Sequence, residues 1–224
     1  MSLQPAQKRA LVAGGTGRVG AAIAAKLEDA GWRVVAAGRS AGDLSSRAGA
    51  HALVAGAVEE LGGLELVVHA ASDGFVPKPL AELTEEDWDA AAGATAKGTL
   101  FLGQAAEPHL EGGVLVVVED VAGYQPWPSF AAHCAAKAAQ AMLTRVLARA
   151  LAPGIRVVGV SPGPVAVEPG QEERRARETL LGRIGSAEDV ADAVLYAADA
   201  KHLTGTSLVV DGGRLLKTGL RPRP

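Results

Sequence analysis

Apolar positions along the chain fall into two alternating patterns. Short runs rich in valine, leucine and alanine, near 10–14, 33–37, 64–69, 113–118, 154–160 and 207–210, read as strands buried on both faces. Between them lie longer alanine-rich stretches with apolar residues at helical spacing, near 18–30, 49–61, 84–106, 130–151, 172–180 and 187–198, and these read as helices. Strand and helix in alternation predict a parallel sheet covered on both faces, a three-layer, doubly wound, Rossmann-like α/β fold. Glycines and prolines such as Gly112-Gly113 and Pro162-Gly163-Pro164 punctuate the elements without forming a linker long enough to separate domains. Residues 1–224 therefore read as one domain, with Arg221–Pro224 as a loose end.

Composition narrows the setting. Lysine and arginine number 22 against 25 acidic residues, a net charge of −3, so no basic field points to nucleic acid. The single cysteine, Cys134, excludes an intrachain disulfide framework and fits a reducing compartment. No apolar run approaches the ~20 residues of a membrane span. The polar start, Met1 to Arg9, lacks the apolar core of a secretion signal. The expectation is a cytoplasmic protein without nucleic-acid or membrane partners.

Candidate chemistry begins where the first strand breaks into glycines, at Ala-Leu-Val-Ala-Gly-Gly-Thr-Gly-Arg-Val-Gly over 10–20. Gly14, Gly15, Gly17 and Gly20 let the backbone turn tightly beside a pyrophosphate, and the N–H groups opening the next helix favour an anion. Arg18 adds a cation inside the turn. His69 and His109 lack metal-ligand spacing with other ligand-type residues, so no metal is expected.

Several separated motifs, in order, resemble the short-chain dehydrogenase/reductase family over nearly the whole chain. They are the glycine turn, Gly38-Arg39-Ser40, the run Leu66 to Ser72, Ser161-Pro162-Gly163-Pro164, and Gly182 to Gly185 through Val209-Val210-Asp211-Gly212-Gly213. The resemblance implies a nicotinamide cofactor held by Gly14, Thr16, Gly17, Arg18, Val19 and Gly20, by Ala70, Ala71 and Ser72, and by Pro162 and Gly163. After the second strand of such folds an arginine accommodates the 2′-phosphate of NADP(H), where an acid would select NAD. Arg39, with the Ser40 hydroxyl, therefore points to NADP(H). After Ser40 the chain runs directly into Ala41-Gly42-Asp43-Leu44-Ser45. The family helix between strands two and three is absent there, which predicts a trimmed sheet edge, with Asp43 kept as an adenine contact.

The family places a tyrosine and a lysine four apart on one helix, with a serine thirteen residues before the tyrosine. By that alignment Lys137 is the lysine, which the resemblance implies also binds the cofactor ribose, His133 stands at the tyrosine, Asp120 at the serine, and Thr95 at the family's helix asparagine. Asp120, the following Gln125-Pro126 and the arginine at 18 resemble the pteridine-reductase branch. The carboxylate of Asp120 and the ammonium of Lys137 pull the charge of the His133 imidazole in opposite directions. Two readings stand: Asp120 and His133 act as an acid pair, or His133 has lost the proton-donor role. Tyr124, Gln125 and Trp127 are candidate substrate-wall residues.

The reaction implied is hydride transfer from NADPH to a carbonyl or pterin-like C=N of a small carbonyl or heterocyclic substrate. The alternative is an NADP(H)-binding protein of sensing or structural role. The resemblance further implies a homotetramer, with a dimer next.

Overall fold

The computed structural model describes residues 7–73, 75–165 and 167–217. The expectations for the extreme N-terminus and Arg221–Pro224 fall outside them. Six strands form one parallel sheet: β1 (Arg9–Ala13), β2 (Arg33–Ala37), β3 (Leu66–His69), β4 (Val114–Val118), β5 (Arg156–Pro162) and β6 (Ser207–Val210), in the order β2-β1-β3-β4-β5-β6. The helices are α1 (Arg18–Asp29), α2 (Arg47–Leu61), α3 (Glu85–Ala92), α4 (Gly98–Ala106), α5 (Ala131–Leu151), α6 (Glu172–Ala176) and α7 (Ala187–Asp199).

The two-residue period of the strands sorts their side chains between two cores. Leu11, Val67, Leu115 and Val157 face α2, α4 and α5, joining Leu53, Leu102 and Leu147. Their neighbours Val12, Val68, Val116 and Val158 face α1 and α7, joining Ile23, Leu27, Val190 and Val194. This two-sided burial is why the strands are continuously apolar rather than alternating. The sheet ends at β2, so the trimmed edge expected from the short connection is present. A single 3-10 turn, Arg39–Ala41, and the loop to the Ser46 N-cap replace the missing edge.

Two helices differ from their sequence spans. The stretch read as one helix over 84–106 is α3 and α4 joined by a π turn, Gly93–Lys97. At its end the chain passes so close to the sheet that a Cβ on Gly98 would lie 3.2 Å from both His69 Nε2 and Leu44 Cβ. The helix expected over 172–180 stops at Ala176 because later backbone groups are taken elsewhere. The Thr179 hydroxyl donates to the carbonyls of Ala176 and Arg183, and the Leu180 and Leu181 N–H groups donate to Gly212 O.

The order reverses at β1, with β2 on one side and β3 on the other, and all strands point the same way. Their C-terminal ends consequently share one edge, where open α/β sheets bind ligands.

Candidate active site

The glycine turn makes the first wall of a cleft. Gly14 has φ of +85°, and a Cβ there would lie 2.6 Å from the Ala70 carbonyl carbon and the Ala71 nitrogen, so the turn presses against the end of β3. Helix α1 begins on Gly17, which supplies no side-chain cap, and its first turn holds no acid. Its opening N–H groups therefore suit a pyrophosphate. The cleft, about 210 Å³, is lined by Gly14, Thr16, Gly17, Arg39, Asp43, Ala70, Ala71 and Ser72 among others. Eight of the sequence-derived cofactor residues thus meet in one place.

The remaining cofactor candidates sit differently. Val19 packs on the α1 and α7 core, so only its backbone is offered at the turn. Ser40 is exposed on the 3-10 turn and does not line the cleft. Arg18 points the other way, with Nη1 donating to Val167 O at 3.4 Å, and lines a separate depression with Ile184 and Glu188. Pro162 ends β5, and the Gly163 N–H donates to Val210 O; a Cβ on Gly163 would meet Asp211 Cα at 2.7 Å. The Arg39 guanidinium pairs with the Asp73 carboxylate across the cleft, both side chains well exposed. Such a pair contributes little, so a doubly charged phosphate can displace the carboxylate. Asp43 accepts the Ser45 N–H at 2.9 Å, which with the Ser45 side chain and the nearby Arg39 holds its carboxyl below the usual range.

Deeper along the same edge, Asp120, His133 and Lys137 come together, as the family resemblance implies. Residues 133 and 137 lie one turn apart on α5, facing the end of β4. His133 Nε2 is 3.3 Å from Asp120 Oδ2, while Asp120 Oδ1 accepts the Ala122 N–H at 2.8 Å. The imidazole is only 3 % exposed against 26 % for the carboxylate, so Asp120 is the member that meets solvent, while His133 lines a pocket with Phe130, Asp73 and Arg39. His133 Nδ1 is buried without a partner.

Lys137 is also buried. Its ammonium donates to Val118 O, Glu119 O and Gln140 Oε1 at 3.2, 3.4 and 2.9 Å. Burial pushes it below its ordinary value, opposed by the carboxylates of Asp120 and Glu119. Gln140 continues the chain inward, donating to Thr99 Oγ1 at 3.0 Å and to His69 Nδ1 at 3.2 Å. His69 Nε2 reaches Ala94 O in the π turn at 2.9 Å. Thr95, on the same turn, lies 3.4 Å from Ser72 through the two hydroxyls.

Other site residues escaped the sequence reading. Glu119, 2 % exposed, accepts the hydroxyls of Ser161 and Thr144, each at 2.7 Å, and of Tyr124 at 3.3 Å. An acid ending a run of valines was its signal; only packing shows which hydroxyls it collects. Phe75 and Phe130 stack at 4.7 Å between centroids, and Phe75 meets His133 edge-on at 4.9 Å. Trp127 adds a further edge-on contact to Phe130, and its indole donates to Gln125 Oε1 at 3.4 Å. Trp127 was expected as a wall, but nothing in the spacing marked Phe75 and Phe130 as its continuation. Among the described residues there is no cluster suited to a metal, and no helix is long and apolar enough to cross a membrane.

Comparison with known proteins agrees with this architecture. The family profile described as Enoyl-(Acyl carrier protein) reductase matches residues 39–214. A 4-formylbenzenesulfonate dehydrogenase of Comamonas testosteroni is 35 % identical over 92 % of this chain and 96 % of its own. The human Dehydrogenase/reductase SDR family member 4 is 30 % identical over 93 % of this chain and 87 % of its own. Among solved structures, a blue fluorescent protein from a metagenomic library in complex with NADPH superposes with a TM-score of 0.82 at 26 % identity, covering 94 % of this chain and 99 % of that one. The chain belongs to the short-chain dehydrogenase/reductase family of nicotinamide-dependent oxidoreductases.

Proposed function

We propose that this protein is an NADP(H)-dependent reductase that transfers hydride to a carbonyl, or to a pterin-like C=N, of a flat small molecule. The observation that carries the reading is the Asp120–His133 contact, open to solvent through the carboxylate and backed by the buried ammonium of Lys137. The bound dinucleotide supplies the hydride. The chain's own residues supply the proton: Asp120 hands it to the substrate oxygen or nitrogen as the C=X bond opens, and His133 shares it from behind. The partly exposed edge of Asp120 then takes a new proton from water. Lys137 holds positive charge beneath the carboxylate, and Asp120 with Arg18 favours the pteridine-reductase-like branch. The aromatic wall formed by Phe75, Phe130 and Trp127, with Tyr124 and Gln125 beside it, suits a planar ring.

Arg39 decides the cofactor in this reading. Its guanidinium fork matches a phosphate better than the single exposed carboxylate of Asp73. Wild-type protein is expected to bind NADPH at least about tenfold more tightly than NADH, and Arg39→Ala to abolish the difference, read by fluorescence titration with both nucleotides. Substrate-dependent oxidation of NADPH over a panel of ketones, aromatic aldehydes, quinones and pterins tests the reaction itself. A panel without any rate above background rejects it in favour of a binding protein.

The assembly proposed is a homotetramer, with a dimer next, built on the outer faces of α4 and α5. Leu100 on α4 and Met142 and Val146, one turn apart on α5, are exposed there. Light scattering is expected to return four chains, and a single chain at micromolar concentration overturns this association.

A further inference from the structure

A second pocket adjoins the cofactor cleft. It lies between the loop after β3 and the start of α5, encloses about 340 Å³, and is lined by Phe130, His133 and the charged side chains of Arg39, Asp73, Lys78 and Asp87. Arg39 and Asp73 line the cofactor cleft as well, so their ion pair stands as a partition between the two.

The four charges form two pairs of unequal commitment. Asp87 is bound to the Lys78 ammonium and also accepts the Thr84 N–H at 2.9 Å in the cap of α3, and both hold its carboxyl well below the usual range. The Lys78 N–H donates to Ser129 O at 2.8 Å, which ties this pair to the approach of α5. Asp73 is met by Arg39 in an exposed pair, and such a pair contributes little. A 2′-phosphate that takes the Arg39 fork therefore leaves Asp73 as the member of the four without its partner.

The same pocket is lined by a side chain with an unmet polar atom. His133 is buried, its Nε2 is turned to Asp120, and its Nδ1 has no hydrogen-bond partner. Buried polar atoms are rarely left so. With the ring hydrogen on Nε2, towards the carboxylate, Nδ1 is an acceptor. Asp73 and His133 thus call for the same chemistry, hydrogen-bond donors, and Asp73 calls for positive charge besides.

We propose that this pocket is a second ligand site, for a small amine or amidinium, masked by Arg39 and freed when the 2′-phosphate of NADP(H) takes the guanidinium. The inference rests on the assignment of Arg39 to that phosphate. In the occupied site paired N–H donors meet Asp73, a further N–H serves His133 Nδ1, and Phe130 covers the body of the ligand. Because His133 also touches Asp120, the occupant stands one side chain from the proton donor.

Calorimetric titration with benzamidine, and with benzamide as its neutral counterpart, tests the site on complexes saturated with NADP+ and with NAD+, which differ only in the 2′-phosphate. Benzamidine is expected to bind the NADP+ complex at least about tenfold more tightly, with the margin shrinking as salt rises, and benzamide to bind both within about twofold. Linkage then requires benzamidine to favour NADP+ over NAD+ by the same factor. Asp73→Asn should remove the margin without weakening NADP+, and Arg39→Ala without nucleotide should bind benzamidine at least about tenfold more tightly than wild type does. Equal benzamidine affinity for the two complexes of a wild type that prefers NADP+ overturns the proposal whether or not any variant folds, as does a margin that survives Asp73→Asn. Failure of the cofactor reading looks different: wild type binds the two nucleotides alike, while Arg39→Ala still gains benzamidine affinity.

Discussion

Replacement of Asp120 by asparagine is expected to lower kcat/KM for NADPH-dependent reduction by about 10²- to 10⁴-fold, the range set by loss of a positioned acid or base. The amide preserves the shape of the side chain and an oxygen for the Ala122 N–H, but it carries no transferable proton and no charge for His133 and Lys137. NADPH affinity should stay within about twofold, because the cofactor cleft is lined by other residues. Steady-state kinetics beside a nucleotide titration separates the two. Activity retained to within about fivefold would mean that the proton reaches the substrate by another route. His133→Phe, which keeps an aromatic ring beside Phe75, should fall less far, since Asp120 remains exposed to water.

Acid is expected to weaken the fold through His69. The imidazole is fully buried between β3 and the π turn, and burial, reinforced by the Lys137 charge, depresses it from 6.5 to about 3 despite its bond to Ala94 O. A histidine depressed in the folded state binds a proton more readily when unfolded, so stability is full above pH 6.5 and falls as pH drops towards 3. The loss over that window is on the order of 5 kcal/mol, comparable with the whole stability of many domains. Urea unfolding of wild type and His69→Asn between pH 7 and pH 4 isolates this contribution, because the carboxylates titrate alike in both. The variant should start less stable at pH 7 and lose less on acidification. Parallel pH profiles would show that His69 does not titrate across the unfolding transition.

Much of the site was legible because its components are local. The glycine turn, the strand ends and the four-residue step from His133 to Lys137 are properties of a few consecutive residues. Backbone geometry places them once the elements are known. The Glu119 cluster was hidden, since Thr144 and Ser161 lie 25 and 42 residues away and no period links them. Arg18 shows the converse. Its place in the turn was plain, but its side chain turns towards the carbonyl of Val167, 149 residues on. The helix break at Gly93–Lys97 was equally hidden, for it answers to the approach of His69 and Leu44 rather than to any weak helix former alone.

By itself the sequence determined the parallel sheet and the glycine turn, because apolar periodicity and glycine placement act over short distances, while the trimmed edge and the pairing of position 120 with 133 were legible only through the family resemblance. The tertiary structure alone decided that His133 is buried while Asp120 keeps a solvent-exposed edge, that Lys137 is enclosed by two carbonyls and Gln140, and that the Arg214 guanidinium lies over Trp127. Burial and partner choice depend on which distant segments pack together. No local pattern encodes that, and it is burial and partners that set where charge and protons are held.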